Sequence, residues 1–249
     1  MFTASVSSVS KLQMLAFVIS LLGLFTIDVS LLYLCLSIIT FYLFNIMGVS
    51  ITLHRYYTHK SFEFRNKFLK FLFTFISVIV CRGSPIGWVY VHRLHHAYSD
   101  TSNDPHAPSM LGFKLVGLGH ISSACKFNKF IVKDFLNEEQ MNINKYYVLI
   151  VINYILLLVM IDVNLVYYMW ALPVVLVQIV QNSFNYFGHM YGYRNFNTTD
   201  DSTNNIYLFP FILGDAWHNN HHKNPALPSN KVKAFELDPA ASIINLIKK

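Results

Sequence analysis

Residues 12 to 53 read LQMLAFVISLLGLFTIDVSLLYLCLSIITFYLFNIMGVSITL, a stretch of 42 residues in which Asp28 is the one charged side chain. A helix that crosses a bilayer needs about 20 apolar residues, so this stretch has room for two such helices. In lipid, each helix satisfies its own backbone hydrogen bonds, which a loop cannot do. We therefore predict a transmembrane hairpin over 11–53, with helices at 11–27 and 30–53 and a tight turn at Asp28.

A second stretch has the same pattern. Residues 146 to 193 contain a single charged side chain, Asp162, in 48 positions. They predict a second transmembrane hairpin over 146–188, with helices at 146–161 and 165–188. The first apolar run lacks a small-residue cleavage site and leads directly into another span, so we expect an uncleaved anchor.

A shorter apolar run lies between the hairpins, from Phe68 to Cys81, and its 14 residues include Lys70. Runs of about 10 to 14 residues are more often interfacial or re-entrant than spanning. A crossing here would also put the histidines before and after it on opposite sides of the membrane. We predict an interfacial helix with its apolar side towards lipid and four basic residues near the headgroups, namely Arg65, Lys67, Lys70 and Arg82.

The composition agrees with a membrane protein. Apolar residues make up 54% of the chain and charged residues 13%, which is about half of the roughly 25% found in soluble chains. The net charge of +6 could indicate nucleic-acid binding, but no Lys or Arg falls within either long stretch. We therefore expect no nucleic-acid partner. The three cysteines are odd in number and share no CxxC spacing, which favours neither a disulfide framework nor a thiolate metal site.

The distribution of basic residues also predicts orientation. By the positive-inside rule, both hairpin turns face outside, and both termini and the histidines face the cytoplasm. The fold class is thus an all-α, multi-pass integral membrane protein with one domain over 1–249. Its parts are a first transmembrane hairpin (11–53), an interfacial helix with a cytoplasmic segment (54–145), a second hairpin (146–188) and a histidine-rich cytoplasmic cap formed with the tail (189–249).

Nine of the eleven histidines fall into four groups at the predicted cytoplasmic face: HRYYTH (54–59), HRLHH (92–96), NYFGH (185–189) and HNNHH (218–222). Residues i, i+3 and i+4 share one face of a helix, so each HxxHH group can present three imidazoles together. His54 and His59 are about 140° apart around an α-helix and converge only if the second span unwinds or bends. Nine imidazoles exceed the needs of one metal, and four or five per ion predict two ions, with iron, zinc and copper all suitable.

Several other side chains are candidates for the surroundings of these ions. Imidazoles bound to metal usually donate their other N–H to a carboxylate or carbonyl group, and three aspartates are near enough in sequence to accept it: Asp100, Asp104 and Asp215. Asn185 lies one helical turn before His189 and could hold a metal-bound water. His106 and His120 stand alone in the sequence, and we expect them to have no metal role.

The motifs resemble those of the membrane fatty acyl desaturases, in the stearoyl-CoA desaturase-like Δ9 branch. The resemblance is closest at HRYYTHKSF (54–62), WVYVHRLHHAYSDTSNDPH (88–106), NYFGHMYGYR (185–194) and GDAWHNNHH (214–222). It implies the introduction of a cis double bond, by means of O2 and two electrons, at two iron ions. The metal ligands that it implies are Asn185 through water and nine histidines: His54, His59, His92, His95, His96, His189, His218, His221 and His222.

The resemblance also bears on the substrate. Trp88 matches the family tryptophan four residues before the second histidine group, and bulk in the second span is implied to close an acyl tunnel, where we predict Tyr42 as the stop. Animal members carry Arg-Asp directly before the second group, where the arginine contacts coenzyme A, but Tyr90 and Val91 stand here. The carrier is therefore left open among acyl-CoA, acyl-lipid and acyl carrier protein. No HPGG motif occurs, so we expect a separate electron donor such as cytochrome b5 or ferredoxin with its reductase.

Two other functions are compatible with histidine groups in a membrane protein. A membrane di-iron fatty acid hydroxylase or an alkane monooxygenase uses similar groups for oxygen insertion. A histidine-rich metal transporter would need ionisable groups within its spans, and the predicted spans contain almost none.

Overall fold

The computed structural model describes residues 2–114 and 128–249, and this part of the chain consists of helices and their connecting loops. A short 3-10 helix, Lys129–Phe135, precedes the sixth helix. The helices, in chain order, are α1 (Phe2–Thr26), α2 (Leu31–Thr58), α3 (Lys67–Ile79), α4 (Pro85–Tyr98), α5 (Pro108–Leu111), α6 (Glu138–Ile161), α7 (Asn164–Met190), α8 (Ile206–Ala216), α9 (His218–Lys223) and α10 (Pro239–Ile247).

Four helices, α1, α2, α6 and α7, are long and apolar enough to cross a membrane, which confirms the predicted spans. Three boundaries differ, because α1 begins at Phe2 rather than at 11, α2 ends at Thr58 rather than at 53, and α6 begins at Glu138 rather than at 146. The side chain of Asn137 caps this helix by accepting a hydrogen bond from the backbone N–H of Gln140. Two glutamates occupy its first turn, where the helix dipole favours negative charge.

The two hairpin turns lie together at one end of the bundle. The Tyr33 hydroxyl of α2 donates a hydrogen bond to Asp162 in the second turn. The Tyr168 hydroxyl of α7 donates to the backbone carbonyl of Asp28 in the first turn, at 3.1 Å. The far ends of α2 and α7 therefore also lie together, and these ends carry the first and third histidine groups.

Burial distinguishes inner from outer spans. Within the most apolar window of each helix, 50% of the residues of α2 and 56% of those of α7 are buried, against 28% for α1 and 17% for α6. Helices α2 and α7 are thus the inner pair, while α1 and α6 mainly face outwards. The main core is centred on α7, where Trp170 and Ala171 are fully buried.

Helix α3 differs in part from its predicted position. Phe68 and Phe71 are exposed, as an interfacial helix requires, but the segment from Val78 to Cys81 is buried in the main core. Arg82, predicted to lie near the headgroups, instead contacts Gln178 of α7, so that prediction is wrong. The reason is that the end of the run is apolar on every side, so it can be buried completely. The chain then returns through α4 to the histidine end, as the common location of the histidine groups requires.

The tail covers the histidine end of the bundle. Ala240 and Ile244 of α10 pack against Ile51 of α2 in a separate hydrophobic cluster. Beneath them, the fully buried Arg55 guanidinium pairs with Asp215 at 2.9 Å and with Asp238 at 3.1 Å. These contacts attach the tail to the end of α2, so that α9 lies against the first histidine group.

Candidate metal centre

The first histidine group lies on a widened helix. From Phe44 to Thr58, helix α2 is a π-helix, in which each N–H bonds to the carbonyl five residues earlier. The His59 N–H continues this pattern by donating to the His54 carbonyl at 3.2 Å. Residues five apart then share a face, and the imidazole centroids of His54 and His59 are 4.9 Å apart. The second span thus departs from α-helical geometry where the HxxxxH spacing requires it.

Each HxxHH group divides between two clusters. The residues at i and i+4 join one cluster and the residue at i+3 joins the other, because positions i+3 and i+4 point about 100° apart around a helix. The outcome is a five-histidine cluster (His54, His59, His92, His96 and His221) and a four-histidine cluster (His95, His189, His218 and His222). The structure therefore brings together all nine of the histidines that the sequence singled out.

The Nε2 atoms point towards one another within each cluster. In the five-histidine cluster the Nε2–Nε2 distances are 2.9 Å for His54–His221, 3.0 Å for His221–His96, 3.1 Å for His96–His92 and 3.1 Å for His92–His59. In the four-histidine cluster they are 3.0 Å for His189–His218, 3.0 Å for His218–His222 and 3.3 Å for His222–His95.

Carboxylates lie behind several of these rings. The aspartate–imidazole pairs, measured from Nδ1, are His189–Asp100 at 2.9 Å, His95–Asp104 at 3.0 Å, His222–Asp200 at 3.2 Å and His54–Asp215 at 3.7 Å. Three of these aspartates are the ones that the sequence suggested. Asp200 was missed because it lies in a loop, next to Asp201, far in sequence from His222. The sequence does not indicate which of the two adjacent carboxylates, that of Asp200 or that of Asp201, points towards the histidines.

The electrostatic environment keeps several of these imidazoles neutral. Burial, followed by the neighbouring imidazoles, holds the pKa of His92, His95, His96, His218 and His221 well below the ordinary value. Burial opposes ionisation of Asp200, but the hydrogen bonds from His222 and Ser202, together with the charge interaction with His222, lower the pKa of Asp200. Burial raises the pKa of Asp104 to about 6.

This donor set fits metal ions. Where a neutral imidazole donates its Nδ1–H to a carboxylate, its Nε2 carries a lone pair. Three rings of the four-histidine cluster, those of His95, His189 and His222, are fixed in this way, so the lone pairs of His95 and His222 face each other at 3.3 Å. Such an arrangement is unfavourable unless a cation lies between the nitrogens, and imidazole is a good ligand for iron.

The other candidate residues lie around the two clusters. Trp88 stacks on His92, with ring centroids 4.7 Å apart. His106 is buried and stacks on His95 at 4.3 Å, with its Nδ1 3.9 Å from Asp104. Asn185 is half-buried on α7, one turn before His189. Tyr42 lies further from the clusters, and the expectation for His120 falls outside the described residues.

Four membrane-length helices below a cap of converging imidazoles are the arrangement of a membrane protein that can hold metal ions. The chain belongs to the fatty acid desaturase family, since the model of the family described as fatty acid desaturase matches residues 29–240. Members are oxygen-dependent oxidoreductases that act on fatty acyl chains and generally use iron.

Of three relatives, two carry Δ9-type names, as the predicted branch does, and the third is a Δ5-desaturase. The chain is 29% identical over 211 residues to the sn-1 stearoyl-lipid 9-desaturase of Anabaena variabilis, covering 81% of this chain and 75% of the relative. It is 30% identical over 202 residues to the Delta-9 desaturase-like 1 protein of Arabidopsis thaliana, covering 77% and 66%. The acyl-CoA C20 Delta5-desaturase of Anemone leveillei is 27% identical over 216 residues, covering 82% and 67%.

Proposed function

We propose that this chain introduces a cis double bond at the Δ9 position of a saturated fatty acyl chain, by means of O2 and two electrons, at a centre of two iron ions. The observation that carries the proposal is the division of nine inward-facing imidazoles into groups of five and four. Four or five nitrogen ligands are what one iron ion can accept, so the division supports two ions.

The protein residues in this proposal hold and orient the metal. Bound iron supplies the one-electron redox chemistry and O2 activation that an unactivated methylene requires. The nine Nε2 atoms hold the two ions, and Asn185 contacts one of them through water. Asp100, Asp104, Asp200 and Asp215 fix the ring orientation of the histidines that they contact.

The substrate side of the proposal is an extended acyl chain that passes the metal centre and enters the bundle. Trp88 is in position to contact it, because this ring stacks on His92 and lies 6.0 Å from His54. Tyr42 is proposed to stop its methyl end. The Tyr42 ring borders an apolar surface groove of about 260 Å³ that is lined mainly by α2, including the exposed side chains of Ile38, Ile39 and Leu43. Its hydroxyl donates to the Pro210 carbonyl at 2.7 Å.

For the acyl carrier and the electron donor, we propose only the class of molecule. Tyr90, which replaces the arginine of animal relatives, is buried against Leu53 and Phe135, so it contributes to packing rather than to a carrier site. This supports an acyl-lipid substrate or another carrier that makes no contact at this position. The donor is a separate protein such as cytochrome b5 or ferredoxin with its reductase. We place the metal centre and both termini on the cytoplasmic side, because the hairpin turns lack basic residues.

Expression in a host that lacks Δ9 unsaturated fatty acids tests the function. We expect new cis-Δ9 acyl chains in the host lipids, and His221→Ala should abolish them while His120→Ala preserves them. Hydroxylated acyl chains in place of alkenes would assign the chain to the hydroxylase alternative. Iron analysis of the purified protein should give two ions per chain, and a single ion would contradict the proposed centre.

A further inference from the structure

Helix α9 carries three of the nine inward-facing imidazoles, although it is only six residues long. Isolated helices shorter than about 12–15 residues are marginal in water, and among the described residues no side chain caps the start of α9. The helix must nevertheless keep one rotation about its axis, because His221 belongs to the five-histidine cluster while His218 and His222 belong to the other. Contacts from outside the helix therefore determine this rotation.

Two asparagines, Asn219 and Asn220, stand between these histidines in the sequence HNNHH. At about 100° per residue, they lie on the side of α9 opposite the three imidazoles. Both are buried, with 0% and 3% of their surface exposed. An amide side chain has two N–H donors and an oxygen that accepts two hydrogen bonds. Both asparagines use all four of these positions, so together they can hold the back of the helix.

The Asn219 side chain binds the loop that follows α7. Its Oδ1 accepts hydrogen bonds from the backbone N–H groups of Asn195 and Phe196, at 2.9 Å and 2.8 Å. Its Nδ2 donates to the Phe196 carbonyl at 3.1 Å and to the Thr198 hydroxyl at 3.3 Å. Three of these four contacts are to main-chain groups, so they fix the position of the loop relative to α9.

The Asn220 side chain binds three further segments. Its Oδ1 accepts from the side-chain amides of Asn195 and Asn204, both at 2.9 Å. Its Nδ2 donates to the Asn230 carbonyl at 2.8 Å and to the Glu236 carboxylate at 2.9 Å. Glu236 is completely buried, and a buried carboxylate is costly unless it is hydrogen-bonded. The contact between Asn220 and Glu236 is therefore one that the protein cannot lose without a penalty.

The loop bound by Asn219 leads back to a histidine of the same helix. The Thr198 hydroxyl donates to Oδ1 of Asp200 at 3.0 Å. The other oxygen of Asp200 accepts from His222 Nδ1 at 3.2 Å. A continuous chain of hydrogen bonds thus runs from Asn219, through Thr198 and Asp200, to the ring of His222.

We propose that Asn219 and Asn220 are positioning residues of the metal centre. Together they fix the rotation of α9, so that its three imidazoles divide between the two clusters. Asn219 also fixes the ring of His222, through Thr198 and Asp200. The inference rests on the proposed centre of two metal ions, and it adds the side chains that keep three of the ligands in place.

Titration of the metal-free full chain with Co²⁺, followed by the visible absorption of the bound ion, tests this rotation without measuring activity. Imidazole is a good ligand for Co²⁺ as it is for iron, and we expect two ions to bind the native chain. Asn219→Ala and Asn220→Ala should each weaken the binding of both ions by about tenfold or more, because α9 contributes to both clusters. Asn224→Ala, a matched change at an exposed residue directly after α9, should bind Co²⁺ like the native chain.

A second pair of variants tests the chain to His222 and does not depend on the folding of the alanine variants. Thr198→Val removes the hydroxyl between Asn219 and Asp200 at a half-buried position. It should weaken one ion, that of the four-histidine cluster, by about tenfold and leave the other unchanged. Thr198→Ser keeps the hydroxyl and should restore native binding. A general loosening of the fold would instead weaken both ions in Thr198→Val, and that result would overturn the proposed chain.

The two levels of the proposal can fail separately. Native Co²⁺ affinity in Asn219→Ala, Asn220→Ala or Thr198→Val would overturn the positioning role while leaving the metal centre intact. A native chain that binds no Co²⁺ would overturn the metal centre itself, and the positioning role with it.

Discussion

Asp200 accepts a hydrogen bond from His222 Nδ1 at 3.2 Å, and its other oxygen accepts from the Ser202 backbone N–H at 3.0 Å. Asp200→Asn keeps an oxygen for Ser202 but weakens the acceptor for His222. Loss of such a partner typically costs about 10- to 100-fold in metal affinity or activity, and we expect a loss in that range. Iron content after dialysis against a chelator measures it. Asp201→Asn, at the exposed neighbour, should retain iron, and equal retention by both variants would contradict a role for Asp200.

The Tyr42 side chain has a ring and a hydroxyl group, and mutation can separate their roles. If its ring stops the methyl end of the acyl chain, Tyr42→Ala should shift preference towards longer acyl chains without moving the double bond counted from the carboxyl carbon. Tyr42→Phe removes only the hydrogen bond to Pro210 and should leave chain length unchanged. Product analysis with a series of chain lengths checks both expectations. An active Tyr42→Ala protein with unaltered preference would reject Tyr42 as the stop.

At the scale of elements, the histidine spacing predicted the geometry of α2 better than the hydrophobic pattern predicted the position of α3. The HxxxxH spacing required a departure from α-helical geometry at the end of α2, and a π-helix provides it. The pattern did not reveal that α3 ends inside the bundle. A run that is apolar on every side is compatible with burial in protein and in lipid alike, so only the contacts with Trp170 and Tyr147 in the main core decide between them.

Helix α1 depends on a close approach to α7 at Gly23. A Cβ atom at this position would lie 2.2 Å from Cδ2 of Tyr167, whose ring is buried. Gly23→Val should therefore force the two helices apart and cost about 1–3 kcal/mol in stability. Thermal unfolding of the purified protein measures this, with Leu24→Val at the exposed neighbouring position as the control. Partial recovery in Gly23→Val combined with Tyr167→Ala would identify the clash as the cause, and an unchanged midpoint in Gly23→Val would exclude it.

At the scale of the whole molecule, apolar length and the histidine positions predicted the four helices and the common location of the nine imidazoles. The allocation of each ring to one cluster was not predictable, because it depends on how α4 and α9 are rotated about their axes. The histidine partner of each carboxylate is a similar case, since Asp100, which the sequence suggested, and Asp200, which it did not, reach their partners across 89 and 22 residues of sequence. Long-range packing, rather than local spacing, determines these contacts.

The orientation in the membrane stays a prediction that accessibility can test. In a chain without its native cysteines, a cysteine at Asp28 or at Asn164 should react with an impermeant thiol reagent added outside the cell. A cysteine at the exposed Lys231, in the tail, should react only after the membrane is opened. The reverse labelling pattern would place the metal centre on the side away from a cytoplasmic electron donor.

Acid stability follows from the burial of neutral imidazoles. In the metal-free folded chain, His59, His92, His95, His96, His218 and His221 have pKa values well below 6.5, whereas the unfolded chain binds protons near 6.5. The unfolded state therefore takes up more protons as the pH falls, so the stability present above 6.5 is lost below it, at about 1.4 kcal/mol per pH unit for each histidine that stays neutral. Asp104, with a raised pKa of about 6, acts in the opposite direction, but it is one group against six. The unfolding midpoint of metal-free protein should fall steeply between pH 7 and pH 5. A midpoint that is constant over this interval would show that the imidazoles are accessible to protons in the folded state.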